Sequence, residues 1–139
     1  MVLGSVSGIF KFKQFLDAYR AAAVRLIDAE GITAVAGHWL IPSGIVMKSL
    51  HARFGLPMIL SSHGTDIRLM SKYMQVARRY FHGFFPKLNS WTVVSSFLRD
   101  EILRLEPNLA PILQVLPLPH DETLFYRDEA IAREPNLMV

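Results

Sequence analysis

Pro57-Met58-Ile59-Leu60-Ser61-Ser62-His63-Gly64-Thr65-Asp66 is the stretch that decides the fold class. Its short apolar run reads as a buried strand, and a glycine then leads into a helical pattern over residues 66–81. Such a strand delivers its polar residues to its carboxyl edge, where open α/β sheets bind ligands. The same order recurs with His38 after residues 33–37, Ser95 after 91–94, and 119–121 after 112–116. Right-handed crossovers between parallel neighbours bring all four loops, with His38, His63, Ser95 and Asp121, to one edge.

The intervening segments read as helices. Phe12, Phe15, Leu16, Tyr19, Ala23, Leu26 and Ile27 recur at spacings of three and four, and Gly31 is placed to end that helix. Pro42-Ser43-Gly44 opens a second, through Ile45, Val46, Leu50 and Phe54 to Gly55. A further helix spans 96–105 before Pro107, and residues 136–139 begin what reads as one more strand. Strands alternating with helices predict an α/β fold, a parallel Rossmann-like sheet flanked by helices. Ile59-Leu60, Val93-Val94 and 112–116 read as strands buried on both faces.

At 139 residues the chain is one domain at most, with enough length to bury a core. No apolar run approaches the roughly 20 residues of a membrane span. Lys11 and Lys13 follow the first apolar residues, the wrong order for a secretory signal. The lack of cysteine removes disulfides and thiolate metal sites and fits a cytoplasmic location, with the inner membrane face as a variant. Residues 1–99 hold twelve Lys/Arg against four Asp/Glu, and 100–139 hold three against eight. The basic part favours an anionic partner, or it is a solvated surface matched by the acidic remainder.

His63 is the sharpest candidate for chemistry. An imidazole at a strand's end, before a glycine that admits close approach, can donate to a phosphate oxygen or sugar hydroxyl; it can equally bond within its loop. Asp66 reads as a helix N-cap, and His63 with Asp66 lacks a third metal ligand. His38 and Trp39 can shape a pocket wall, or His38 can be structural. Ser95 and Ser96 read as helix caps. Lys72, Arg78, Arg79 and Lys87 alternate with Tyr73, Tyr80, Phe81, Phe84, Phe85 and Trp91. That pattern suits either an anionic membrane surface or core packing with basic residues facing water. Nucleic acid is disfavoured because no binding motif is present. A Gly-x-Ser-x-Gly elbow, a Walker loop and paired carboxylates are all missing from the sequence.

Four blocks, in order, resemble the N-terminal domain of GT-B-fold retaining glycosyltransferases of the family 4 type. They are Gly37-His38-Trp39-Leu40-Ile41-Pro42-Ser43-Gly44, Gly55-Leu56-Pro57 continuing to Asp66, Trp91-Thr92-Val93-Val94-Ser95-Ser96-Phe97-Leu98, and Leu116-Pro117-Leu118-Pro119-His120-Asp121-Glu122-Thr123-Leu124-Phe125. The resemblance covers roughly residues 32–125. It implies that His63 contacts the donor sugar near its reacting carbon, with Gly64, Thr65 and Asp66 shaping the loop. It also places His38 and Trp39 on the acceptor side; Ser95 and Asp121 are expected in the same cleft from their strand-end positions. His120 stands where the family more often has a small aliphatic residue.

By this resemblance residues 1–125 are the later part of an acceptor-side domain, and 126–139 lead toward a donor-binding domain. The implied activity is transfer of a sugar from a nucleotide-sugar to a glycan or lipid-linked acceptor, as in polysaccharide biosynthesis. The nucleotide-sugar is substrate, and no metal or other cofactor is expected. The alternative is a non-catalytic Rossmann-like module, either half of a two-chain enzyme or a membrane-associated partner protein. Residues 33–37 are expected to form an open sheet edge, so the chain is expected to self-associate or to need a partner surface.

Overall fold

A computed structural model describes residues 5–119, 121, 123 and 124, apart from the side chains of Met74, Gln75 and Arg78. His120, the passage through Phe125, the linker over 126–139 and the strand expected at 136–139 lie outside the described residues.

Helix α1 runs from Val6 to Glu30, six residues earlier than the apolar spacing begins. Ser5 starts it by accepting the Gly8 N–H at 3.1 Å, satisfying one of the first-turn donors. Gly31 ends it at φ 62°, the left-handed conformation that costs glycine nothing. Strand β1 (Val35–His38) leads into an irregular turn, Trp39–Gly44, that contains a cis Ile41-Pro42 bond. Pro42-Ser43-Gly44 therefore belongs to this turn, and helix α2 begins only at Ile45, ending at Phe54 before a second left-handed glycine, Gly55.

Strand β2 (Met58–Ser62) is followed by α3 (Thr65–Lys72) and α4 (Met74–Phe81). The single helix expected over 66–81 is thus broken at Tyr73, which leaves helical geometry at φ −114°, ψ 36°. Strand β3 (Ser90–Val93), α5 (Ser96–Leu105) and β4 (Leu113–Val115) complete the described fold.

The strands form a parallel sheet in the order β1-β2-β3-β4. Every crossover runs the same way, so right-handedness places the connecting helices on one face. Burial agrees. Met58, Leu60, Ser62, Trp91 and Val93 are buried under the helices, whereas Ile59 is 47% exposed and Ala36 and Gln114 face solvent. This corrects the expectation of strands buried on both faces: among the described residues the helices cover one. The apolar residues of 112–116 are likewise split, with Leu113 buried and Leu116 62% exposed.

The core lies between that face and the helices. Phe81 stacks on Phe85 at 5.2 Å and Phe85 leans on Trp91 at 5.0 Å between ring centroids. Burying such side chains is worth about 1.5–3 kcal/mol each. The indole N–H of Trp91 donates to Ser62 Oγ at 3.0 Å, so its polar atom stays satisfied in the core. On α1 the inward residues are Leu16, Ala23, Val24 and Ile27. Phe15 and Leu26 of the expected apolar stripe are 50% and 57% exposed.

Candidate functional site

The parallel register fixes where the polar loops meet. His38 is paired in register with Ser61, two residues before His63. Side chains alternate along a strand, so His38 and His63 lie to the same side. Their rings meet: Nδ1 of His38 is 3.1 Å from Nε2 of His63, with ring centroids 5.3 Å apart. Trp39 adds an edge-on contact to His63 at 6.3 Å.

Trp39 itself has φ 66°, a left-handed conformation unusual for a bulky residue and costly by about 1–2 kcal/mol. Asp66 is the group that holds this geometry. Its carboxylate is buried and accepts the Leu40 N–H at 2.8 Å and the Gly64 N–H at 3.1 Å. One side chain thereby ties the β1 turn to the β2–α3 loop. Asp66 is not the N-cap of α3; that place belongs to Gly64, at φ 120°, and Asp66 sits in the first turn. With one backbone donor on each oxygen, Asp66 is a structural tie between the two loops.

Ser95 is the N-cap expected, its Oγ accepting the Leu98 N–H at 3.4 Å. A hollow of about 400 Å³ lies between the two loops, lined by His63, Gly64, Thr65, Arg68, Val94 and Ser95 among others. Gly64 and Ser95 are the N-caps of α3 and α5, so backbone N–H groups at both helix starts border this hollow. Arg68 adds the cation. Sequence reading missed Arg68, although its place one turn beyond Thr65 on α3 follows from helical spacing.

His38, Trp39, His63, Gly64, Asp66 and Ser95 thus gather at the carboxyl edge. Asp121 is described only as part of an exposed turn. Hydrogen bonds from the Thr123 hydroxyl and N–H hold its carboxyl below the usual carboxylate range. No contact joins it to the histidines among the described residues. The described residues contain no cluster of three or more His, Asp or Glu that could hold a metal.

The basic and aromatic residues divide. Phe81, Phe84, Phe85 and Trp91 are core, so for them packing is the correct reading. Tyr73 and Tyr80 are 49% and 43% exposed, and Lys72, Arg79 and Lys87 face solvent. Lys72 Nζ lies 5.5 Å from the Tyr73 ring centroid, and Lys48 Nζ 4.0 Å from that of Tyr80. No helix among the described residues is long and apolar enough to cross a membrane.

No protein-family model matches the chain. Over 106 residues it is 24% identical to the uncharacterized glycosyltransferase MJ1178 of Methanocaldococcus jannaschii, an alignment that covers 73% of this chain and 29% of that protein. The chain therefore spans less than a third of that relative's length. The relationship supported by this similarity, together with the parallel α/β sheet, is a distant glycosyltransferase-like one.

Proposed function

We propose that this chain is the acceptor-side part of a GT-B-fold, family 4-type retaining glycosyltransferase, which moves a sugar from a nucleotide-sugar to a glycan or lipid-linked acceptor. The observation that carries the reading is the meeting of His38 and His63 at the carboxyl edge of a parallel sheet, beside a hollow that holds Arg68. The distant similarity to a protein named as a glycosyltransferase supports it.

On this reading His63 hydrogen-bonds the donor sugar, and His38 with Trp39 borders the acceptor. Breaking the bond from the anomeric carbon to the nucleotide diphosphate leaves negative charge on the departing phosphate. Arg68 and the N–H groups at the starts of α3 and α5 are suited to an anionic group in the hollow. Asp66 keeps the His63 loop in place by its two backbone hydrogen bonds. The nucleotide contacts belong to a second domain, toward which 126–139 would lead. Lys72, Arg78, Arg79 and Lys87 are the residues that would touch an anionic membrane surface in presenting a lipid-linked acceptor.

The experiment is acceptor-dependent release of nucleoside diphosphate from a panel of nucleotide-sugars, comparing the full-length protein with its His63→Ala variant. Turnover lowered by about 100-fold or more, with an unchanged fold, supports the assignment. Equal turnover removes His63 from the mechanism. Absence of transfer with every donor favours the non-catalytic module.

A further inference from the structure

The His38–His63 contact joins one nitrogen of each ring at 3.1 Å, so one nitrogen carries the shared hydrogen and the other accepts it. Two arrangements satisfy this. If His38 Nδ1–H donates to His63 Nε2, both neutral rings must hold their hydrogen on Nδ1. If His63 Nε2–H donates to His38 Nδ1, both hold it on Nε2. A histidine side chain intrinsically favours the Nε2–H tautomer, because Nδ1 is crowded by the Cβ substituent. The first arrangement places both rings in the disfavoured form, and the second places both in the favoured one.

We propose that His38 is a positioning residue for His63: its Nδ1 accepts the Nε2–H of His63, which fixes that ring's orientation and leaves His63 Nδ1 as a bare acceptor. Among the described residues no protein partner meets His63 Nδ1 or His38 Nε2–H. A ligand at this edge therefore meets one acceptor, on His63, and one donor, on His38. That polarity reverses the expectation that His63 donates. In consequence His63 takes the hydrogen of a sugar hydroxyl, and a ligand acceptor atom bonds to His38. The last two statements rest on the proposed function; the tautomer pairing does not.

The surroundings suit such a role. Trp39 stands edge-on to His63, 85° from its plane, and limits the ring's swing. Asp66 holds the backbone on both sides, at Leu40 and Gly64. His38 is exposed, so its replacement removes the hydrogen bond without emptying a core site.

The test reads the ring nitrogens directly. In the ¹⁵N-labelled chain at alkaline pH, long-range proton–nitrogen correlations should show hydrogen on Nε2 of both rings. A coupling across the hydrogen bond should link His63 Nε2 to His38 Nδ1. His38→Ala should abolish that coupling and expose the His63 Nε2–H to fast exchange with water, with the backbone amide spectrum otherwise intact. His38→Asn, whose side-chain oxygen can stand near the Nδ1 position, should restore a protected Nε2–H. Hydrogen on His38 Nδ1, or no coupling in the wild type, overturns the proposal.

In the transfer assay kcat should fall about 10–100-fold for His38→Ala, as for other orienting partners, and recover in part in His38→Asn, which keeps the acceptor for His63 but lacks the Nε2–H. Wild-type kcat in His38→Ala overturns the positioning role while leaving glycosyl transfer standing. An inactive wild type with the coupling present overturns the transferase reading and leaves the pairing intact.

Discussion

Replacing Asp66 with alanine removes the side-chain acceptor that serves two backbone N–H groups, and the cost can be worked from their surroundings. The Leu40 N–H is buried, and its bond to a carboxylate oxygen is 2.8 Å long. Losing a hydrogen bond to a charged group of this kind costs about 1.5–3 kcal/mol. The Gly64 N–H is partly buried, with a 3.1 Å bond, and regains some water, so its loss costs about 1 kcal/mol. Asp66→Ala is therefore expected to lower unfolding stability by about 3 kcal/mol. For a domain of this size that corresponds to a Tm lower by about 10 °C. Asp66→Asn keeps one acceptor but turns an amide N–H₂ toward the second donor, and should lose about half as much. Urea unfolding followed by circular dichroism measures the stability, and amide hydrogen exchange at Leu40 locates the loss. An Asp66→Ala protein within about 1 kcal/mol of wild type, or with Leu40 still protected, would refute the idea that Asp66 ties the two loops together.

Gly64→Ala has room for its methyl group, whose nearest neighbour would be Leu98 Cδ1 at 3.6 Å, so its cost comes from the backbone at φ 120°. A loss of about 1–3 kcal/mol in urea unfolding is expected, and no loss would show that the loop relaxes freely. Trp91→Phe strips the indole N–H from Ser62 Oγ and leaves space at a fully buried position, for about 2–3 kcal/mol lost with an unchanged urea slope. Sedimentation at low salt should show self-association, because among the described residues β1 is an edge strand and Ile59 lies 47% exposed on a sheet face without helices. A clean monomer that unfolds cooperatively and ignores anionic vesicles would contradict that expectation.

The strands and most helix ends were legible because they rest on local chemistry. Gly31 and Gly55 end helices in the left-handed conformation, Ser95 caps α5, and the strand–loop–helix order alone implies a parallel sheet. The break at Tyr73 has no glycine or proline to mark it, which is why one helix was expected where two occur. That one sheet face is open among the described residues is not legible in the sequence, because an apolar residue such as Ile59 reads the same whether a helix covers it or not. The Asp66–Leu40 and His38–His63 contacts link residues 26 and 25 positions apart. No local pattern carries such a pair. A clue to the histidines was nonetheless present, since parallel neighbours ending in His38 and His63 must deliver them to one edge.

Sugar transfer at that edge, as proposed, is tested most directly by following the donor's anomeric carbon. The full-length protein is incubated with a nucleotide-sugar ¹³C-labelled at that carbon and with a glycan or lipid-linked acceptor. The ¹³C spectrum should show a new glycoside with the donor's anomeric configuration retained, and His63→Ala should suppress it. Either an inverted product or a donor consumed only by water at the same rate in wild type and His63→Ala would contradict the account.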